Sequence, residues 1–186
     1  MAPLSARLCS RNLSKLREFR AALPGWELEL LDVEGYPPED GASYYENARG
    51  KAEFGRSVEP GAWLLADDSG IEVAALGGAP GVATARWAED GVARLLDELD
   101  GVEDRRARYV CELVALAPDG GELRGSGVLD GTITAERRGS EGFGFDPVFV
   151  PAGERRTVAE LGDAWKARNS HRARAAAALS AAAAGG

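Results

Sequence analysis

The chain of 186 residues contains no glutamine, a single histidine (His171) and two cysteines, Cys9 and Cys111. One histidine and no CxxC pair argue against a zinc site, and two cysteines inside apolar runs form no disulfide framework. No apolar run approaches the roughly 18 residues of a membrane-spanning helix. There is also no signal-peptide pattern. We therefore expect a cytoplasmic protein that has no membrane partner.

The charge balance limits the classes of ligand. The formal net charge is −8, with 45% hydrophobic and 28% charged residues, as in an ordinary globular protein. A negative chain offers no basic field for phosphate backbones, which argues against a nucleic-acid partner. An anionic substrate would need local cations or a metal ion. The length suits a single domain, residues 1–186.

Lysine is nearly as scarce as histidine, since the 22 basic residues comprise 19 arginines and only Lys15, Lys51 and Lys166. Each lysine lies three or four positions from one of only three asparagines, Asn12, Asn47 and Asn169. A compact ammonium group is not interchangeable with a guanidinium where it must meet a phosphate. The pattern favours a functional role for the lysines, although chance clustering is the alternative.

The central stretch from Leu64 to Arg86 contains two adjacent carboxylates, Asp67 and Asp68, directly after an apolar run. Paired carboxylates at the end of a buried strand need cationic compensation, and their oxygens suit Mg²⁺. The alternative is a solvated turn over Asp67–Gly70, which the residue types favour when this stretch is taken alone.

The order of patterns predicts alternating strands and helices. We expect a strand over Arg7–Ser10 and a helix over Leu13–Leu23, whose start with Lys15 is either an anion site or an ordinary N-cap. A strand over Glu27–Val33 precedes a helix from Ser43 to about Ser57, on which Asn47 and Lys51 share one face.

In the second half, a helix is predicted over Asp90–Leu99 and strands over Arg105–Ala117 and Glu122–Leu129. A turn at Asp130-Gly131 would lead to a short strand over Thr132–Glu136.

The segment GFGFDPVF contains Phe143 and Phe145, each beside a glycine. Such rings either stand clear of the backbone and stack on a nucleobase, or fill the core.

Six segments in chain order resemble the Ham1-like family of inosine and xanthosine triphosphate pyrophosphatases. They are SRNLSKLREF, EDGASYYENARGKA, LADDSGIEVAALGGAPGVATAR, GFGFDPVF, TVAEL and SHRARA. The resemblance spans nearly the whole chain. It implies an α/β fold with a mixed sheet and flanking helices, two lobes around a central cleft, and a homodimer.

The resemblance also implies roles for individual residues. Asp68 would be the general base, and Glu39 and Asp68, with Asp67 beside them, would carry Mg²⁺. The remaining positions would bind substrate: the triphosphate at Ser10, Arg11, Asn12, Leu13, Ser14, Lys15 and Lys51, the adjoining part at Ser69, and the base or sugar at Phe143, Gly144, Phe145, Asp146, Lys166, His171 and Arg172.

The implied reaction is hydrolysis of non-canonical purine nucleoside triphosphates, dITP, ITP, XTP and dXTP, to the monophosphate and pyrophosphate. Mg²⁺ and lysines would offset the triphosphate charge while a carboxylate deprotonates water. A Maf-like nucleotide pyrophosphatase and a non-catalytic nucleotide-binding module are the alternatives.

Overall fold

The computed structural model describes residues 3–185 of the chain. Strands and helices alternate from β1 to α3, with two short 3₁₀ turns between β3 and α3, and three strands and then three helices follow. In order, the elements are β1 Leu4–Leu8, α1 Leu13–Ala22, β2 Trp26–Leu30, α2 Tyr44–Val58, β3 Trp63–Val73, α3 Gly91–Glu98, β4 Arg106–Leu116, β5 Glu122–Ile133, β6 Phe149–Pro151, α4 Val158–Leu161, α5 Asp163–Asn169 and α6 His171–Gly185.

The strands form one mixed sheet in the order β2-β1-β3-β4-β5-β6. Strand β1 runs parallel to β2 and to β3, whereas β6 is antiparallel to β5. The expected α/β fold with a mixed sheet and flanking helices is therefore confirmed. Among the helices of residues 3–185, none combines the length and the apolar character that a membrane crossing requires.

The described chain divides into two compact units. The first contains residues 3–68, 111–127 and 171–185, and the second contains residues 69–110 and 128–170. Two apolar clusters fill the first unit, one around Leu8, Phe19 and Leu113 and one around Leu64 and Leu116. A single large cluster, which includes Ile71, Leu95, Phe145 and Phe149, fills the second unit. Each unit thus has its own core.

Strand β3 excludes the alternative of a solvated turn over Asp67–Gly70, because it runs without interruption from Trp63 to Val73. Asp67 and Asp68 are buried, with 1% and 5% of their surface exposed. Turn-forming residue types favour a loop when their side chains are solvated. Here cationic and amide partners replace the solvent, as described below, so the strand continues through the acidic pair.

Strand β5 contradicts the turn predicted at Asp130-Gly131 and the separate strand predicted after it. Residues Glu122–Ile133 form one strand. A Cβ at Gly131 would lie 2.3 Å from the carbonyl oxygen of Val150, so the glycine permits the close approach of β6. The residue marks a tight strand contact rather than a chain reversal.

The remaining boundaries differ by a few residues. Strand β1 ends at Leu8 instead of Ser10, and β2 ends at Leu30 instead of Val33. Helices α1, α2 and α3 occupy the predicted stretches, and α2 begins after the N-cap Ser43. Strand β6 and helix α5 lie in segments for which the sequence predicted no regular structure.

Candidate active site

The turn before α1 is fixed by side chains that satisfy the first amide groups of the helix. Asn12 is the N-cap, and its Oδ1 accepts hydrogen bonds from Ser14 N at 2.9 Å and Lys15 N at 3.2 Å. Ser10 Oγ accepts from Asn12 N at 3.1 Å. The backbone at the start of α1 is therefore capped in the ordinary way, as one of the two alternatives for this turn predicted.

The neighbouring positions of this turn are more exposed. Arg11 donates to the carbonyl oxygen of Glu34 at 3.1 Å. Leu13 is 64% exposed, and Ser14 Oγ accepts from Arg17 at 3.3 Å.

Lys15 does not lie on a solvated face, as the alternative of an ordinary N-cap had implied. Its Nζ lies 3.0 Å from Oδ1 and 2.9 Å from Oδ2 of Asp67, and 16% of its side chain is exposed. Helix α1 therefore directs this ammonium group toward the acidic pair on β3.

Asp67 is the internal counterion of the first unit. Besides Lys15, its Oδ2 lies 3.5 Å from Nε of Arg172, which donates from Nη1 to Glu18 at 3.1 Å. Burial alone would raise the pKa of Asp67, but the charges of Lys15, Arg172 and Lys51 outweigh burial and hold it well below its usual range. Asp67 is therefore ionised at neutral pH.

Helix α2 contributes two side chains from one face, as its sequence predicted. Lys51 Nζ donates to the carbonyl oxygen of Asp67 at 2.6 Å and also contacts the carboxylate of Glu39. Asn47 Nδ2 donates to Oδ2 of Asp68 at 2.8 Å. Burial lowers the pKa of Lys51, but the nearby negative charges of Asp67 and Glu39 outweigh burial and raise it above its usual value. The ammonium group therefore stays charged.

Asp68 differs from its neighbour in its electrostatics. Burial raises the pKa of Asp68, and the negative charges of Glu39 and Asp67 add to this effect. The hydrogen bond from Asn47 and the charge of Lys51 oppose the shift without cancelling it. A carboxylate with a raised pKa is a better proton acceptor than an ordinary aspartate, which suits the role of a general base.

The acidic groups were tested for their fit to a metal ion. Within residues 3–185, no three or more His, Cys, Asp or Glu side chains are arranged as a ready-made metal site. Mg²⁺ is often held by only one or two carboxylates, with water and substrate phosphates completing its shell. Glu39 and Asp68, whose charges act on each other beside Lys51, fit that kind of site.

The start of α6 is placed by a close contact with β5. A Cβ at Gly127 would lie 2.0 Å from the carbonyl oxygen of His171 and 2.5 Å from the amide nitrogen of Ala175. His171, the first residue of α6, and Arg172 are both buried. The absence of a side chain at Gly127 therefore lets α6 bring Arg172 to Asp67.

In the second unit, the carboxylate of Asp146 gathers the predicted base-binding residues. Its Oδ2 accepts from Lys166 Nζ at 2.6 Å and from Phe143 N at 2.8 Å. Lys166, with 4% of its side chain exposed, also lies 4.0 Å from the centroid of the Phe143 ring. This distance is typical of a cation–π contact.

For Phe145, the second of the two alternatives is correct, because its ring fills the core. It is 6% exposed, packs in the core of the second unit and lies 6.5 Å from the Trp87 ring. Gly91 leaves room for it, because a Cβ there would lie 2.9 Å from Cζ of Phe145. Phe143 is only half-buried. Gly144, between the two rings, has a φ of 60°, a left-handed conformation that favours glycine.

Ser69, also half-buried, follows Asp68 on β3.

Three contacting residues were not assigned to the predicted site: Glu18, Asn47 and Tyr109. Glu18 lies three positions after Lys15, one helical turn along α1, and this spacing was a usable signal. Asn47 was noted only for sharing a helix face with Lys51. Tyr109 Oη donates to Oδ1 of Asp146 at 3.2 Å, and nothing in its local sequence indicated that contact.

The chain was compared with known proteins. The family model described as the Ham1 family matches residues 6–182. A dITP/XTP pyrophosphatase of Acidobacterium capsulatum is 41% identical over 91% of this chain and 93% of its own length. One from Mycobacterium tuberculosis is 45% identical, with coverages of 92% and 91%.

Two solved structures of Ham1 proteins are also similar to this chain in fold. A HAM1 protein from Coxiella burnetii superposes with a TM-score of 0.84 at 33% identity, covering 98% of this chain and 100% of that one. The Ham1 protein of Staphylococcus aureus gives a TM-score of 0.82 at 32% identity, with coverages of 97% and 98%. The chain belongs to the Ham1 family.

Proposed function

We propose that this chain hydrolyses non-canonical purine nucleoside triphosphates, dITP, ITP, XTP and dXTP, to the nucleoside monophosphate and pyrophosphate. Relatives that are 41–45% identical over most of the chain are named dITP/XTP pyrophosphatases. The observation that carries the proposal is that two adjacent aspartates of β3 have different surroundings. Asp67 is a counterion of Lys15 and Arg172, whereas the adjacent Asp68 has a raised pKa.

The phosphate groups would be held by cations of the first unit. Lys15 and Lys51 keep their ammonium groups within 3 Å of oxygens of Asp67, so a triphosphate would meet charges that are already oriented. Ser10 and Asn12 would contribute to the same site from the turn before α1. Ordered donors raise the rate because they need no reorganisation when charge develops on the phosphorus oxygens.

Glu39 and Asp68 are the residues that would hold Mg²⁺. The ion, when bound with substrate, would supply positive charge against the phosphate oxygens. Its use by this chain is part of the proposal, and the donor set described above supports it.

The chemical step assigned to the chain is a proton transfer at Asp68. Its carboxylate would accept a proton from water while the water oxygen forms a bond to the α-phosphorus. The bond from that phosphorus to the bridging oxygen of the β-phosphate breaks, and pyrophosphate leaves with the electron pair. Lys15 and Lys51 would offset the charge on the leaving group.

Recognition of the base is assigned to Phe143, Asp146 and Lys166 of the second unit, with Arg172 as a further donor. A 6-oxo group on the purine accepts hydrogen bonds from cations such as Lys166 and Arg172. A 6-amino group would leave donors unpaired, and adenine nucleotides would therefore be poor substrates. Phe145 would act by supporting the loop, since its ring is buried.

A product assay tests the proposal. With Mg²⁺ present, we expect pyrophosphate and the monophosphate from dITP and XTP, and little product from ATP. Orthophosphate as the first product would contradict it, and tight binding without turnover would favour the nucleotide-binding module. The Maf-like alternative has lost its support, because the Ham1 model matches residues 6–182. The homodimer and the cytoplasmic location stay predictions.

A further inference from the structure

We propose that Tyr109, on β4, is a positioning residue that fixes the loop from Gly142 to Asp146 and, through it, Phe143 and Lys166. This inference rests on the proposed function, because it assigns Phe143 and Lys166 to the base of the substrate. Tyr109 itself is buried behind Asp146, at 7% exposure, and would touch no substrate. Its influence would pass through one carboxylate.

The two oxygens of the Asp146 carboxylate accept hydrogen bonds from different sets of donors. Oδ2 accepts from Lys166 Nζ and from Phe143 N, the two groups assigned to the base. Oδ1 accepts from the hydroxyl of Tyr109 at 3.2 Å. Since a carboxylate is planar, a donor that fixes Oδ1 also fixes the direction of Oδ2. The orientation of Lys166 and of the Phe143 amide thus depends on the tyrosine.

Tyr109 is held more firmly than the loop that it orients. It belongs to β4, and its ring lies 4.5 Å from the ring of Phe149 within the core of the second unit. Strand residues packed in a core are among the least mobile parts of a domain. The hydroxyl therefore provides a fixed reference point at the end of a rigid side chain.

The loop itself has little intrinsic stiffness. Gly142 and Gly144 have φ values of 77° and 60°, conformations that glycine adopts at no steric cost and leaves as easily. A Cβ at Gly142 would lie 2.3 Å from Oδ2 of Asp146, so the backbone is packed directly on the carboxylate. The position of the loop therefore depends on the Asp146 carboxylate, and the orientation of that carboxylate depends on Tyr109.

The substitution Tyr109→Phe removes the hydroxyl and keeps the ring, so it tests this chain of contacts. We expect KM for dITP to rise about three- to tenfold while kcat changes less than about twofold, because binding of the base is lost equally in the ground and transition states. Inorganic triphosphate, which has no base, should inhibit wild type and variant with the same inhibition constant. Tyr45→Phe, which removes a bond to the exposed Glu122, is the matched control and should keep wild-type values.

Hydrogen exchange at the Phe143 amide gives a readout that does not depend on activity. The Asp146 carboxylate protects this amide, and Tyr109→Phe should accelerate its exchange while amides of β4 and α5 keep their wild-type rates. An unchanged KM together with unchanged exchange would overturn the inference. Equal increases in KM and in the inhibition constant of triphosphate would also overturn it, because they would indicate a general structural defect.

The two proposals fail in different ways. If wild type does not hydrolyse dITP, the proposed function is wrong, and the exchange of the Phe143 amide alone decides whether Tyr109 fixes the loop. If wild type hydrolyses dITP but Tyr109→Phe matches it in every measurement, only the positioning role is wrong.

Discussion

At the scale of single residues, two chemically identical neighbours have different surroundings. Asp67 faces Lys15 and Arg172, whereas Asp68 faces the amide of Asn47 and the negative charge of Glu39. Successive residues of a strand point to opposite faces, so adjacent aspartates meet different partners. The strand thereby separates a structural carboxylate from the proposed general base, and two substitutions distinguish the roles.

Asp68→Asn should lower kcat by about 10²–10⁴-fold, the usual contribution of a general base. The thermal midpoint should stay the same or rise slightly, because the variant removes a buried charge that its surroundings disfavour. Steady-state kinetics and differential scanning fluorimetry check both expectations. A kcat near that of wild type would remove Asp68 from the mechanism.

Asp67→Asn should instead destabilise the fold, because it removes the counterion of Lys15 and one carboxylate near the buried Arg172, which keeps its ion pair with Glu18. The expected loss is about 3–5 kcal/mol in the free energy of unfolding, measured by urea denaturation. Asp104→Asn is the matched control, since Asp104 pairs with Arg106 at the surface, and should leave the stability close to that of wild type. Equal effects of the two substitutions would contradict the assignment of Asp67.

At the scale of elements, the sequence predicted which segments are helices better than it predicted how the strands continue. The spacing of Leu16, Phe19 and Leu23 located α1, and the Asn47–Lys51 pair located the face of α2 that contacts Asp67 and Asp68. The turn predicted within β5 and the turn considered as the alternative within β3 were both wrong, because local composition does not reveal a tertiary partner. Lys15 and Lys51 stabilise the acidic residues of β3, and β6 packs onto Gly131 of β5.

The candidate site shows the same limit. Scarcity of lysine and asparagine singled out six residues, of which four contact Asp67, Asp68 or Asp146: Lys15, Asn47, Lys51 and Lys166. The other two make local helix contacts, since Asn12 caps α1 and Asn169 donates to the carbonyl oxygen of Trp165. The contact of Tyr109 with Asp146 joins positions 37 residues apart in the chain, and the burial of Phe145 depends on Gly91. Such pairings follow from the order of strands in the sheet, which the local pattern does not contain.

A prediction at this scale concerns the contact between α6 and β5. Gly127→Ala would place a methyl group 2.0 Å from the carbonyl oxygen of His171, and α6 must then move. We expect a loss of at least about 1–3 kcal/mol of stability and reduced activity in the folded fraction, since Arg172 lies in the first turn of α6. Gly50→Ala, in the exposed part of α2 with nothing within 4 Å, is the control and should stabilise by about 0.5–1 kcal/mol. A Gly127 variant as stable as wild type would show that the contact is not tight.

At the scale of the whole molecule, the formal net charge of −8 contrasts with the concentration of cations around Asp67. The buried charges of the first unit are already paired by lysine and arginine side chains. A metal ion is therefore not needed to neutralise the interior, and it would act in the reaction rather than in folding.

Removal of divalent metal tests this separation. Treatment with EDTA should abolish turnover of dITP, whereas the thermal midpoint should shift by less than about 2 °C, because within residues 3–185 no preformed cluster of metal ligands holds the fold together. Adding back Mg²⁺ should restore activity. Full activity in EDTA would contradict the proposed cofactor, and a large fall in the midpoint would assign a structural role to the metal.

The low exposure of all three lysine side chains also affects how the protein can be labelled in the laboratory. The side chains of Lys15, Lys51 and Lys166 are 16%, 9% and 4% exposed, and each is engaged by a carboxylate. Biotin or fluorophore esters that acylate amines should therefore label these positions slowly, and each molecule labelled there should be inactive. A saturating nucleotide should slow that labelling further. Coupling chemistry for this chain is better directed at its surface carboxylates.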